Sequence, residues 1–200
     1  MNKQFAWLAI FLSVLLWSGI EPKDQFTWFL EVLPALIALP VLILTRQRFP
    51  LTSLAYALVL IHCVILMVGG HYTYAEVPLF DWIAEITGSD RNNYDKVGHF
   101  AQGFVPTLLA REIFIRLEVV KRGAWCNFLS LCFALAFSAF YELIEWWVAL
   151  LTGEDAEAFL GTQGYIWDTQ SDMGMALVGA VTCLVTLVKY HDGRLSKFHW

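Results

Sequence analysis

The sequence predicts an all-α fold: a polytopic transmembrane helical bundle of six spans in one domain, residues 1–200, with short helical or irregular segments on the periplasmic side. Three observations predict it. Hydrophobic residues make up 58% of the chain and charged ones only 16%, where a soluble domain is about half apolar and about a quarter charged. Apolar runs of the length the bilayer demands, roughly 20 residues, recur from end to end. The basic residues gather at alternate ends of those runs, which is the pattern that sets membrane orientation.

The first run, 5–20, follows Met1, Asn2, Lys3 and Gln4 and has the look of a leader with one positive charge. No Ala-x-Ala-like pair of small residues follows at Trp17, Ser18, Gly19 and Ile20, so the run is expected to be retained as the first span. The second, 26–44, carries one carboxylate, Glu31, and the third, 51–70, one imidazole, His62. An outer loop, 71–94, comes next. Within it Leu79, Phe80, Trp82, Ile83 and Ile86 recur at helical spacing while Asp81 and Glu85 mark another face, which predicts a short amphipathic helix at the outer interface. The fourth span, 96–115, begins with charge and ends with Arg111 and Glu112, expected to be structural, with Arg111 snorkelling to the interface. His62 is expected to hydrogen-bond across helices. The fifth span, 126–149, holds Glu142 and Glu145 near its outer end. The loop 151–171 turns at Gly153, passes an acidic stretch, and reaches Gly161 and Gly164, whose spacing implies a tight backbone path. In the sixth span, 172–188, the small residues Gly174, Ala176, Gly179 and Ala180 let a neighbouring helix come close.

Of the 13 lysines and arginines, only Lys23, Arg91 and Lys96 fall outside the N-terminus, the two alternate loops and the C-terminus. The basic side is cytoplasmic by the positive-inside rule, so the expected location is a bacterial inner membrane with both termini in the cytoplasm. The opposite side is acidic, with Glu21, Asp24, Glu76, Asp81, Glu85, Asp90, Asp95, Glu154, Asp155 and Glu157. Nucleic acid is excluded as a partner there; the bilayer itself, a lipid-linked substrate or a membrane protein fits better. Cys63, Cys126, Cys132 and Cys183 lie within apolar runs with no CxxC spacing, which implies neither a disulfide framework nor a zinc motif.

Alternating topology brings the outer ends of spans three to six to one depth. His71, Asp95, His99, Glu142, Glu145, Asp168 and Asp172 all fall there, with Glu31 a short way below the start of span two. Asp95 with His99 and Asp168 with Asp172 are i,i+4 pairs, and Glu142 with Glu145 is i,i+3, so each pair can share a helix face. Ionisable groups within a span cost about 2.5 to 3.5 kcal/mol each at its centre and face the bundle interior, which makes them markers of function. Several carboxylates at one level also need protons, basic partners or a cation. A divalent metal would answer that need: zinc, manganese or iron for an imidazole and carboxylate set, magnesium or calcium for an all-oxygen set. A competing reading leaves Glu142 and Glu145 at headgroup level beside Tyr141, Trp146 and Trp147 as part of an aromatic belt, and His99 as a packing histidine.

Four blocks carry a resemblance: Gly69-Gly-His-Tyr-Thr-Tyr-Ala-Glu-Val-Pro78, Tyr94-Asp-Lys-Val-Gly-His-Phe-Ala-Gln-Gly103, Tyr141-Glu-Leu-Ile-Glu-Trp146 and Trp167-Asp-Thr-Gln-Ser-Asp172. In these the chain resembles the YjdF-like inner-membrane proteins along almost its whole length. Their function is not established, so the resemblance implies location and a shared site rather than an activity. A weaker likeness is to VanZ-like membrane proteins, through the Asp-Lys-x-x-His-Phe opening at 95–100 and Asp172 with downstream Gly179. The asparagine usual between those two is Ala176 here.

The leading functional expectation is a cation-binding or catalytic polar site open to the periplasm. His71, Asp95, His99, Glu142, Glu145, Asp168 and Asp172 are the candidate metal ligands, and Glu142 and His99 the candidate catalytic pair. In the enzymatic form a metal activates water or polarises a phosphoryl or acyl group of a lipid-linked substrate, with Glu142 as general base. A proton- or cation-coupled transporter would use the same groups, and a scaffold would use the acidic outer loops.

Overall fold

The computed structural model describes residues 3–152 and 157–196. Gly153, Glu154 and Asp155 of the second outer loop and the basic Lys197 lie outside them, as does the C-terminal residue Trp200. The described residues are all-α: α1 Lys3–Gly19, α2 Gln25–Thr45, α3 Ser53–His71, α4 Pro78–Thr87, α5 Tyr94–Arg116, α6 Ala124–Thr152, α7 Glu157–Leu160 and α8 Asp168–Leu195. Four of these, α2, α3, α6 and α8, are long and apolar enough to cross a membrane, while α1 is apolar but has 17 residues. The fourth apolar run of the sequence is α5, whose charges at both ends lower its hydropathy.

Local chemistry starts and stops these helices. The Asp24 carboxylate accepts from the Thr27 amide at 2.6 Å and the Thr52 hydroxyl from the Ala55 amide at 3.3 Å, each satisfying a donor that the first turn leaves free. Pro78 opens α4, where its missing N–H costs nothing. The short outer helix expected over 79–86 is α4, with Leu79, Trp82 and Ile86 forming an apolar stripe turned away from the bundle. Phe80, on the opposite side, meets the Tyr94 ring.

The interior has three apolar clusters. Phe11, Val32, Ala35, Val59, Cys63, Met67 and Val105 join α1, α2, α3 and α5; Leu51, Ala55, Leu108 and Cys183 join α3, α5 and α8; Tyr74, Val77 and Tyr94 close the end where α5 begins. The outward faces of the long helices are apolar as well, with Ile37, Leu44 and Val185 exposed. All four cysteines are free thiols, and Cys63, Cys126 and Cys183 are buried.

The axis of the molecule is the pair α5 and α8. Gly103 faces the backbone of Ala176, and Gly179 faces the backbone of Phe100. Any side chain at either glycine would collide with backbone, so the approach depends on both. Gly174 faces open space instead and takes no part.

The far end of this pair corrects one expectation. Arg111 does not snorkel: it is buried and donates two parallel hydrogen bonds to Asp192, at 2.8 and 3.0 Å, and one to the Asn127 side chain at 3.0 Å. The reason is that α8 continues to Leu195, past the apolar run that ends at 188, and so carries Asp192 to it. Glu112, fully buried, accepts from the Thr52 amide (2.8 Å), the Thr52 hydroxyl (2.7 Å) and Arg116 (3.1 Å), with His191 Nε2 at 3.0 Å.

Candidate functional site

At the opposite end, α5 and α8 start side by side. The turn before α5 is built by Asn92, whose side-chain NH2 donates to the Val77 carbonyl (3.0 Å) and the Asp81 carboxylate (2.7 Å) while its side-chain oxygen accepts from the Tyr94 backbone amide. Gln163 docks the other loop on the same residue: its side-chain oxygen accepts from the Asn92 amide and its NH2 donates to the Asn92 carbonyl, at 3.0 and 2.9 Å. Gln163 and the glycines that flank it, Gly161 and Gly164, all have positive φ, as the tight path inferred from the glycine spacing requires.

The first turns then present their charges to one another. From α5, Lys96 reaches the carboxylates of Asp95 (3.1 Å), Asp168 (2.9 Å) and Asp172. Arg91 adds contacts to Asp95 (3.1 Å) and Asp168 (2.5 Å). One turn deeper, His99 Nε2 lies 3.1 Å from Asp95 and 3.8 Å from Asp172, while its Nδ1 lies 3.1 Å from the Gln102 side-chain oxygen and 3.8 Å from Glu142. The Oε1 atom of Glu142 is buried and makes no hydrogen bond. Glu145, one turn further along α6, approaches both His99 and Glu142.

Of the groups expected at this depth, Asp95, His99, Glu142, Glu145, Asp168 and Asp172 come together. His71 does not. Its Nδ1 is 3.0 Å from the Ser18 carbonyl and its ring packs on Trp17, so it ties α3 to α1. The chain turns sharply after it through Thr73 and Tyr74, both with positive φ, and the Tyr74 ring lies over Gly69 and Gly98, between α3 and the cluster. Glu31 does join: its carboxylate accepts from the Tyr141 hydroxyl at 3.0 Å and faces the same cavity. That cavity, about 190 Å³, runs from Asp95, His99, Asp172 and Glu145 past Glu31 and Tyr74 to His62.

Lys96 and Arg91 are the residues that the sequence reading left out of the site, counting them only as cations of the outer side. The available signal was the direct neighbour relation of Asp95 and Lys96 at a helix start, since a lysine stem is long enough to swing its ammonium onto an adjacent helix.

A family model described as "Predicted membrane protein (DUF2238)" matches residues 3–193. The chain belongs to that family. It is also similar to the inner membrane protein YjdF of Escherichia coli (strain K12), 51% identical over 185 residues, 92% of this chain and 88% of that protein. No solved structure matches it. The resemblance carried by the four sequence blocks is thereby confirmed, and the chain is a multi-pass inner-membrane protein of the DUF2238 family. For this DUF2238 member the described residues include two sets of atoms close enough to hold a metal ion: Asp95, His99 and Asp172, and His99, Glu142 and Glu145. They differ in one respect. Asp95 and Asp172 already face the Lys96 ammonium, whereas Glu142 has a buried oxygen without a partner.

Proposed function

We propose that the cluster is a cation-binding site open to the periplasm, in a bundle of six spans formed by α1, α2, α3, α5, α6 and α8 with both termini cytoplasmic, and that it acts on the polar head of a lipid-linked substrate. The orientation is supported by Lys3, Arg46, Arg48, Lys121, Arg122 and Lys189 at the end away from the cluster. The observation that carries the site is the buried, unpartnered Oε1 of Glu142, 3.8 Å from His99 Nδ1. A buried carboxylate oxygen with no donor is costly, and a proton or a cation removes that cost. Because Lys96 compensates Asp95, Asp168 and Asp172, the set His99, Glu142 and Glu145 is the better holder of a divalent ion. A bound ion would supply Lewis acidity. Glu142 would then be placed to take a proton from water, while His99, its Nε2 held by Asp95, would keep Nδ1 toward the ion.

The test is elemental analysis and thermal melting of the purified protein, alongside His99→Ala and Glu142→Gln. Wild type should carry a divalent metal that raises its melting point, since a ligand that binds only the folded state stabilises it. Each variant should lose both the metal and the stabilisation. A metal-free wild type whose melting point is unmoved by added divalent ions and is matched by both variants would sink the reading, leaving these residues as part of a polar belt.

A further inference from the structure

The cavity continues below its cluster of carboxylates. Its deeper wall is mostly apolar, with Pro34, Ala38, Val59, Pro106, Leu109 and Phe137 around the single imidazole of His62. From Glu31 to Ala38 on α2, and from Glu145 to Phe137 on α6, is about 10 to 12 Å at the helical rise, so a polar end and an apolar end of similar depth share one space. Helices α2 and α6 stand on either side of it. They are bridged near the polar end by the Tyr141 to Glu31 hydrogen bond and by α7, whose buried Phe159 packs on Tyr141.

Lower down, Phe137 lines the cavity and is 41% exposed, so no other side chain seals it off. The surface around it is apolar on both helices, with Phe29, Ile37 and Val41 on α2 and Phe133 and Phe140 on α6 exposed. In an inner-membrane protein that surface is bathed in hydrocarbon. Water in the lower part of such a space finds few polar partners, whereas apolar ligands are well accommodated there. The medium at its mouth therefore identifies the occupant.

We propose that a single lipid hydrocarbon chain enters sideways between α2 and α6 and lies along Ala38, Leu109 and Phe137, with the polar head of that lipid at His99, Glu142 and Glu145. The position of the head rests on the cation-site reading; the position of the chain does not.

The experiment uses the full chain in phosphatidylglycerol nanodiscs doped with a phosphatidylglycerol carrying a diazirine in one acyl chain, irradiated and then digested for mapping by mass spectrometry. Wild type should give adducts on the inner wall around Ala38, Leu109 and Phe137. Ala38→Trp fills the apolar half and should reduce those adducts several-fold while leaving adducts at the outward-facing Leu16 unchanged; Ile37→Trp, one residue away and facing lipid, should change neither. His99→Ala should lose metal and keep the inner-wall adducts, which separates failure of the cation reading from failure of this one. Adducts confined to outward positions in wild type, or inner-wall adducts undiminished in a folded Ala38→Trp, overturn the proposal. Should Ala38→Trp not fold, the wild-type map together with Ala38→Leu decides in the same way.

Discussion

At the scale of single residues, the positions at the two ends of α5 behave differently. Glu112 is fully satisfied by Thr52, Arg116 and His191, so Glu112→Ala strands several buried donors at once. A loss of about 3 to 5 kcal/mol is expected, because removing one partner of a buried ionic network leaves the rest uncompensated; the melting midpoint in detergent checks it. Lys96 is the keystone of the other end. Lys96→Met takes the ammonium from Asp172 and leaves Asp95 and Asp168 to Arg91 alone, so the variant should melt lower than wild type in chelator and recover more than wild type when millimolar divalent cation is added. Equal responses would mean that the ammonium does not carry the compensation. This is also where the sequence was least legible. Spacing alone put Asp95 with His99 and Asp168 with Asp172 on shared faces, and the structure joins the pairs. It could not show that a lysine fills the space between them, since rotamer choice for a long side chain is decided by the neighbouring helix and not by position in the chain. His71 failed for a related reason: being at the right depth does not fix azimuth, and α3 turns that residue toward α1.

At the scale of elements, the long helices were readable because a run of apolar residues has one outcome in a bilayer, and α4 was readable from its 3.6-residue period. What periodicity could not reveal was which small residues touch. Gly103 and Gly179 meet backbone, whereas Gly174 meets nothing within 4 Å. Gly179→Ala should therefore destabilise by about 1 to 3 kcal/mol through overpacking, while Gly174→Ala should be neutral or stabilise by about 0.5 to 1 kcal/mol, the usual gain for replacing a mid-helix glycine. Unfolding in a denaturing detergent series would rank the pair, and the opposite order would refute the contact. For α4, the stripe Leu79, Trp82 and Ile86 faces away from the protein. In native membranes, cysteines at those positions should react slowly with an impermeant maleimide and one at Glu85 quickly; uniform fast labelling would show that the stripe is not seated in the interface.

At the scale of the whole molecule, six apolar runs and segregated basic loops anticipated the helices and their order, and four of the helices meet the length and hydropathy of a span outright. Helix α5 does not, because it is wrapped by α3, α6 and α8 and can keep its charges away from lipid. Reporter fusions test the arrangement in the bilayer: one after Trp200 should be cytoplasmic and one at Ser89 periplasmic, and finding both on the same side would break the even span count. A mechanical division also follows from the way α5 and α8 are joined. Ionic groups fasten them at both ends and glycines press them together between, so the pair is held along its length even though Pro106 removes one backbone hydrogen bond within α5. The wall of the cavity opposite that pair is α2, which has Pro34 and Pro40 within it and so lacks two of its backbone hydrogen bonds. Breathing of the cavity is therefore expected first at this wall, which has two internal prolines against one in α5. Spin-label distances between α5 and α8 should accordingly be narrow and unchanged when the lipid composition is varied, and those between α2 and α8 broad and responsive to it, making α2 the door and the α5 and α8 pair its frame.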